Sequence, residues 1–343
     1  MDFNLKNLNQ FQQLTTLDMH TEGEPLRIVT SGYPQIIGDT ILEKRRFVER
    51  ELDHLRKALM FEPRGHADMY GALITEPCTE DGDFGILFMH NEGYSSMCGH
   101  GIIATVTAAI ECNDIQVYEN DVATINIDSP AGRIVAYGQL IEGKPQVSFD
   151  CVSSFVEVTD QQVTIEGLGK VDYDIAFGGA YYAYVDADKL GLSCDPNNVE
   201  NLIHFGRAIK KAVIADYQLH HPEHDDLSFL YGTIFTSSKV TNPTSHSRHV
   251  CIFADGEVDR SPTGTGVSGR IALLMHKENI AINEAVTIES ILSTSMTVYG
   301  HKPHEYFNKQ AVIPNVSGSA FVTGQHRFFI DKTDPVNPGF ILR

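Results

Sequence analysis

The sequence predicts an α/β (α+β) protein of two similar lobes. Three observations point there: the chain length, a recurrence of short β-rich runs, and two separate helical segments that are apolar on nearly every face. At 343 residues the chain is too long for one small core and too short for three ordinary domains, so two lobes of roughly 150 residues follow. A hydrophobic content of 42% suffices to fill both.

The β-rich runs are residues 26–30, 85–89, 123–127, 133–137, 146–149, 181–185, 250–253, 296–299 and 319–322, which read as strands of mixed sheets. Residues 44–60 form an amphipathic helical pattern, with Phe47, Val48, Leu52, Leu55 and Leu59 on one stripe and charges opposite. Residues 198–215 form a second. Residues 101–110 and 267–275 differ in kind, because a helix that is apolar all round is buried. Each follows a glycine-rich loop after a strand, Cys98-Gly99-His100-Gly101 in one case and Ser261-Pro262-Thr263-Gly264-Thr265-Gly266 in the other. One theme is thus used twice. The lobe boundary is expected in the glycine- and charge-containing stretch 159–172, giving residues 1–165 to the first lobe and 166–319 to the second.

Charge and cysteine usage exclude several function classes. The formal net charge is −19, and the one basic run is Lys44-Arg45-Arg46, which could neither neutralise a phosphate backbone nor hold an anionic membrane. Nucleic acid and membrane are therefore excluded as partners. Residues 1–13 are polar, and no window approaches about 18 consecutive apolar residues, so a soluble, unprocessed, cytoplasmic protein is expected. Cys78, Cys98, Cys112, Cys151, Cys194 and Cys251 are scattered without zinc spacing, which reads as free thiols in a reducing compartment and no metal.

Cys98 is the residue with chemistry in view. At the first position of a buried helix a thiol sits beside unpaired N–H groups and the positive end of the helix dipole, which lower its pKa toward the thiolate. The same amides, with those opening the second buried helix, form a receptor for a carboxylate. Taken alone, a cysteine before a glycine turn reads as a small buried hydrophobe. Its neighbours reverse that reading.

Met19-His20-Thr21-Glu22-Gly23-Glu24-Pro25-Leu26-Arg27, Glu62-Pro63-Arg64-Gly65-His66-Ala67-Asp68-Met69 and Met97-Cys98-Gly99-His100-Gly101 are the first dense motifs. Ile127-Asp128-Ser129-Pro130-Ala131-Gly132, Phe177-Gly178-Gly179-Ala180 and Asp259-Arg260-Ser261-Pro262-Thr263-Gly264-Thr265-Gly266 continue them. In these residues the chain resembles the proline racemase family over nearly its whole length. The resemblance implies a diaminopimelate epimerase-like fold, with each lobe a curved mixed sheet around its central helix, the active site between lobes, and segment 320–343 returning to the first lobe. It implies Cys98 as the catalytic base, Gly99 and His100 beside the substrate, Asp259 with His100 at the ring nitrogen, and Gly264 and Thr265 as backbone donors to the carboxylate.

One position departs from the pattern. Racemases of the family carry a second cysteine directly before Gly264-Thr265, and here that residue is Thr263. Racemisation needs a base on one face of the α-carbon and an acid on the other, and a threonine hydroxyl cannot share that work near neutral pH. One-sided abstraction by Cys98 stays productive if the carbanion expels a leaving group. In trans-3-hydroxy-L-proline the α-proton and the 3-hydroxyl share a face. The expected reaction is therefore syn loss of water to 1-pyrroline-2-carboxylate, with the new thiol, or a water held by Thr263, protonating the hydroxide. Threonine at this position also resembles the dehydratases of the family. No cofactor is expected, since no lysine context for pyridoxal is visible and the charge falls to the amides and amine contacts. The partner expected is a small imino acid, with a homodimer as the one macromolecular association considered. The rival readings are a 4-hydroxyproline epimerase or proline racemase, and more distantly a non-catalytic imino-acid binding protein.

Other signals are set aside. Gly264-x-Gly266-x-x-Gly269 with Glu284 formally satisfies a dinucleotide fingerprint but lacks the tandem βαβ units around it. The stretch His220 to Asp226 reads as a solvated loop, His304-Glu305 lacks a second histidine, and Cys112 reads as core. His20 and His66 are as well explained by structural hydrogen bonding as by lining the cleft.

Overall fold

The computed structural model describes residues 5–118 and 121–342; the start of the polar N-terminal stretch, residues 1–4, and the end of the C-terminal segment lie outside the described residues. The first motif folds as a hairpin of β1 (Gln12–Thr21) and β2 (Glu24–Ser31). Its two-residue turn, Glu22-Gly23, takes φ of 51° and 98°, which is why a glycine stands there. A crossover then leads to β3 (Tyr70–Thr75), parallel to β2, through α1 (Ile41–Glu51) and α2 (Asp53–Met60). Sequence periodicity suggests one helix here, and the structure breaks it at Leu52 (φ −123°, ψ 8°). Val48, Leu52, Leu55 and Leu59 are all buried, so the stripe survives the break and periodicity alone cannot reveal it. Thr40 and Glu43 close a reciprocal capping box at the start of α1.

The first sheet continues through β4 (Phe84–His90), β5 (Tyr94–Ser95), β6 (Val122–Ser129), β7 (Gly132–Ile141) and β8 (Lys144–Asp150). Between β5 and β6 runs α3 (Gly99–Glu111), in which every side chain through Ala108 is buried, as its all-apolar sequence requires. Cys112, expected in the core, is the C-cap of α3 and is exposed, because the helix has reached the surface by that turn.

The second sheet holds β9 (Ser154–Ile165), β10 (Gly169–Phe177), β11 (Tyr181–Asp186), β12 (Leu230–Ser237), β13 (Ser247–Phe253), β14 (Glu257–Val258), β15 (Val286–Glu289), β16 (Ser295–Tyr306) and β17 (Lys309–Gly318). Hydrogen bonding closes a circuit, β9–β10–β11–β12–β13–β15–β16–β17 and back to β9. Inside it lies α5 (Gly264–Lys277), and α4 (Val199–Asp216) packs outside, against β9, β12 and β13. Glycines open α5 for packing reasons. A Cβ at Gly266 would lie 2.5 Å from Ile234 Cδ1, and one at Gly269 2.4 Å from the Tyr184 hydroxyl.

The two sheets share β17, which pairs with β8 as well as β9. After Ser319 the chain enters β18 (Ala320–Ile330), which pairs antiparallel with β1, so strands surround α3 too. The stretch 159–172 is not a linker. It is the hairpin of β9 and β10, paired from Phe155↔Phe177 to Ile165↔Gly169, and the passage between the sheets falls instead at residues 151–153. Gly167 and Gly169, at φ 86° and 76°, serve the exposed hairpin tip, which has the composition of a linker.

Candidate active site

The N-termini of α3 and α5 abut. A Cβ at Gly99 would fall 2.5 Å from Gly264 Cα, and one at Gly264 would fall 2.5 Å from Gly99 Cα. Only glycines allow two helix ends to approach so closely. Gly99→Ala is expected to force them apart and to destabilise the fold by about 1–3 kcal/mol, read as a lower denaturant midpoint.

First-turn amides of a helix have no intrahelical acceptor. Here Cys98, the N-cap of α3, takes the Gly101 N–H on its Sγ at 3.2 Å. The backbones of Gly99, His100, Gly264 and Thr265 remain at the wall of a small cavity between the lobes. Tyr70, Met97, Cys98, Tyr182, Tyr231, Cys251, Phe253, Asp259 and Thr263 complete its lining. All seven residues singled out from the sequence as site candidates therefore border one space.

Cys98 Sγ lies 3.1 Å from His100 Nδ1, a contact that spacing on an isolated helix does not suggest. The thiol is not poised as the helix-dipole argument expects. Burial pushes it well above its usual range, the Gly101 N–H pulls it down by less, and the charges of Asp259 and Glu24 push it up again. Burial likewise lowers His100, against the opposing influence of Asp259 and a hydrogen bond to the Pro25 carbonyl. Both shifts favour the neutral forms, thiol beside imidazole, in the closed cavity.

Thr263 caps α5 at φ 72°, ψ 99°, a conformation costing about 1–3 kcal/mol for a β-branched residue. Two local turns hold it. Asp259 Oδ1 accepts the Ser261 N–H at 2.7 Å, and Ser261 Oγ accepts the Thr263 N–H at 3.1 Å. Lobe 1 clamps the same loop: Glu24 Oε2 accepts the Arg260 N–H at 2.6 Å, and Asp68 pairs with the Arg260 guanidinium at 2.8 Å. The first two sequence motifs thus position the last one. Burial, with the nearby Asp259 and Asp68, raises the Glu24 carboxyl well above the usual range. Thr263 Oγ1 is buried and, among the described residues, has no hydrogen-bond partner, although the Cys251 thiol lies beside it.

Sequence reasoning misses the phenols and Cys251. Tyr70 and Tyr231 join across the lobes, hydroxyl to hydroxyl at 3.3 Å, and Tyr70 also bonds Ser95 Oγ. Tyr182 is tied to Thr265 Oγ1 at 2.7 Å. Tyr70 directly follows the Glu62 to Met69 motif, which is the one sequence signal that marks it. His66 is instead exposed against the Ala67 carbonyl, and His20 takes the Gly23 N–H on its ring; neither lines the cavity. In the stretch His220 to Asp226, His221 is buried rather than solvated, tilted against Phe177 with ring centroids 5.0 Å apart, and its ring accepts the N–H groups of Glu223 and His224. No cluster of metal-ligating side chains exists among the described residues. No helix among them is long and apolar enough to cross a membrane.

Known proteins share this fold. The crystal structure of a hydroxyproline epimerase from Agrobacterium vitis with bound trans-4-hydroxy-L-proline superposes with a TM-score of 0.90 at 28% identity, covering 97% of this chain and 96% of that one. The likeness establishes the diaminopimelate epimerase-like fold. A trans-3-hydroxy-L-proline dehydratase of Colwellia psychrerythraea is 51% identical over 331 residues, 96% of this chain and 93% of the relative. A 3-hydroxyproline 2-epimerase of Burkholderia multivorans is 43% identical over 333 residues, 97% and 99% of the two chains. The proline racemase profile matches residues 16–341. With that match running almost end to end, the chain belongs to the proline racemase family.

Proposed function

We propose that the protein is a hydro-lyase that converts trans-3-hydroxy-L-proline to 1-pyrroline-2-carboxylate. The observation that carries this reading is the asymmetry of the two helix caps: a thiol, Cys98, ends one wall of the cavity, and a hydroxyl, Thr263, ends the other. The dehydratase of Colwellia psychrerythraea, half identical to this chain, supports the same choice.

The substrate carboxylate sits on the amides of Gly99, Gly264 and Thr265, where two helix ends supply positive potential. Its ring nitrogen faces Asp259 and His100. A cationic amine there opposes the burial that, with Asp259, raises the Cys98 thiol when the cavity is empty. The thiol proton passes to His100 Nδ1, 3.1 Å from Cys98 Sγ, and the Cys98 thiolate takes the α-proton. The C3–O bond breaks, a C2=C3 bond forms, hydroxide leaves as water, and the enamine tautomerises to the cyclic imine. The free volume of the closed cavity, about 20 Å³, has room for no more than a single water. The lobes must part to admit a ring. The exposed Arg46–Asp226 ion pair, at 2.8 Å between α1 and the loop before β12, is a weak latch that does not oppose this. Free thiols at all six cysteines support a cytoplasmic setting.

One observation favours a second reading, a 2-epimerase: Cys251 also lines the cavity, beside Thr263. Yet Cys251 sits within a strand and caps no helix, whereas Cys98 caps α3 and takes the Gly101 N–H on its sulfur. Product analysis separates the two. With trans-3-hydroxy-L-proline the expected product is the imine, trapped as a coloured adduct of an aminobenzaldehyde. Accumulation of cis-3-hydroxy-D-proline without imine would establish the epimerase.

A further inference from the structure

We propose that Tyr70 is the acid that protonates the departing 3-hydroxide, and that the proton it gives up is replaced by the one Cys98 has just removed from the α-carbon. The inference rests on the dehydratase reading and identifies the proton donor that reading requires.

Geometry narrows the choice of donor. Loss of water from the trans-3-hydroxy isomer is syn, so the hydroxyl leaves on the face that Cys98 attacks. Thr263 caps the helix of the opposite lobe and borders the other side of the cavity. The Tyr182 hydroxyl is engaged with Thr265. Tyr70 belongs to the same lobe as Cys98 and lines the cavity with it, near enough for its hydroxyl to favour the Cys98 thiolate. The Cys98 thiol itself would have to swing from C2 to the oxygen on C3 to deliver its proton directly.

The surroundings of Tyr70 suit an acid that passes briefly through its anion. Ser95 Oγ and the Tyr231 hydroxyl, the latter at 3.3 Å, both reach the phenol oxygen and can donate to it. His100 packs edge-on to the ring with centroids 4.8 Å apart, and Phe253 packs at 6.2 Å, so the ring is held in place. Burial raises Tyr70 well above the usual phenol range, which keeps the proton on the resting residue.

The proton count closes. Cys98 thiolate takes the α-proton; the electron pair of the C–H bond becomes the C2=C3 bond; the C3–O pair leaves with oxygen. Tyr70 gives that hydroxide its proton, forming water. The Cys98 S–H proton passes to the Tyr70 oxygen within the cavity that both line, restoring thiolate and phenol together. No oxidant, reductant or further acid is consumed.

The test uses a leaving group that needs no proton. Tyr70→Phe is expected to lower water loss from trans-3-hydroxy-L-proline by roughly 10²–10⁴-fold, the range of general acid catalysis. The same variant should expel chloride from trans-3-chloro-L-proline at close to the wild-type rate. Tyr231→Phe, one hydrogen bond further out, should show the same selective defect in weaker form. Undiminished water loss in Tyr70→Phe would overturn the proposal, as would an equal fall in water and chloride loss, which marks a structural role. Failure of the wild-type protein to form imine from the hydroxy substrate would instead refute the dehydratase reading beneath it.

Discussion

Cys98→Ser is expected to abolish water loss from trans-3-hydroxy-L-proline, with turnover falling by roughly 10³–10⁴-fold, at the upper end of what a positioned base contributes. The replacement is conservative in every respect but one. Serine is a favoured N-cap, and its Oγ can accept the Gly101 N–H that Sγ now accepts, so the start of α3 should be kept or strengthened. The helix ends, the Asp259 loop and the His100 ring are untouched. What is lost is an ionisable group: a serine hydroxyl does not yield an anion under conditions where a thiol can. Denaturant unfolding should therefore show an unchanged midpoint while imine formation disappears. Full dehydration by this variant would remove Cys98 from the chemistry.

Thr263→Cys is expected to create an activity rather than remove one. The position caps α5 at a positive φ that a β-branched residue tolerates poorly, and cysteine, unbranched at Cβ, fits it with less strain. The new thiol would border the cavity from the lobe opposite Cys98, where Thr263 Oγ1 has no hydrogen-bond partner among the described residues. Two thiols on two faces can remove the α-proton from one side and return another from the opposite side. Cis-3-hydroxy-D-proline should then appear from trans-3-hydroxy-L-proline, in competition with imine, and L-proline should lose optical activity. Chiral chromatography of both reactions checks this. A Thr263→Cys protein that still yields imine alone would mean that the second face is closed by something other than the missing thiol.

The two buried helices and their glycine-rich starts are legible in the sequence because a segment apolar on every face has one place to go, and because no other residue lets Gly99 and Gly264 touch. The site residues at those starts come with them. Tyr70, Tyr231 and Cys251 are not legible, since three separate strands deliver them and their meeting depends on register and on how the lobes face each other. Local composition misleads at residues 159–172, where an exposed hairpin tip and a linker call for the same residues. It misleads again at Cys98, because the helix dipole is a local property visible in sequence, whereas the burial and the neighbouring Asp259 and Glu24 that outweigh it are products of the fold. Arg260 illustrates the middle ground. Its motif stands out in the sequence, but its role in joining Glu24 and Asp68 to the Thr263 loop emerges only when the lobes are assembled.

The asymmetry between Cys98 and Thr263 has a direct readout in the configuration of unreacted substrate. Wild-type protein is incubated with trans-3-hydroxy-L-proline in heavy water to half conversion, and the remaining amino acid is analysed by chiral chromatography and mass. A single base working on one face leaves only the trans-L isomer beside the imine. Deuterated cis-3-hydroxy-D-proline in the remaining pool would contradict it, because a proton would then have arrived from the face that Thr263 borders.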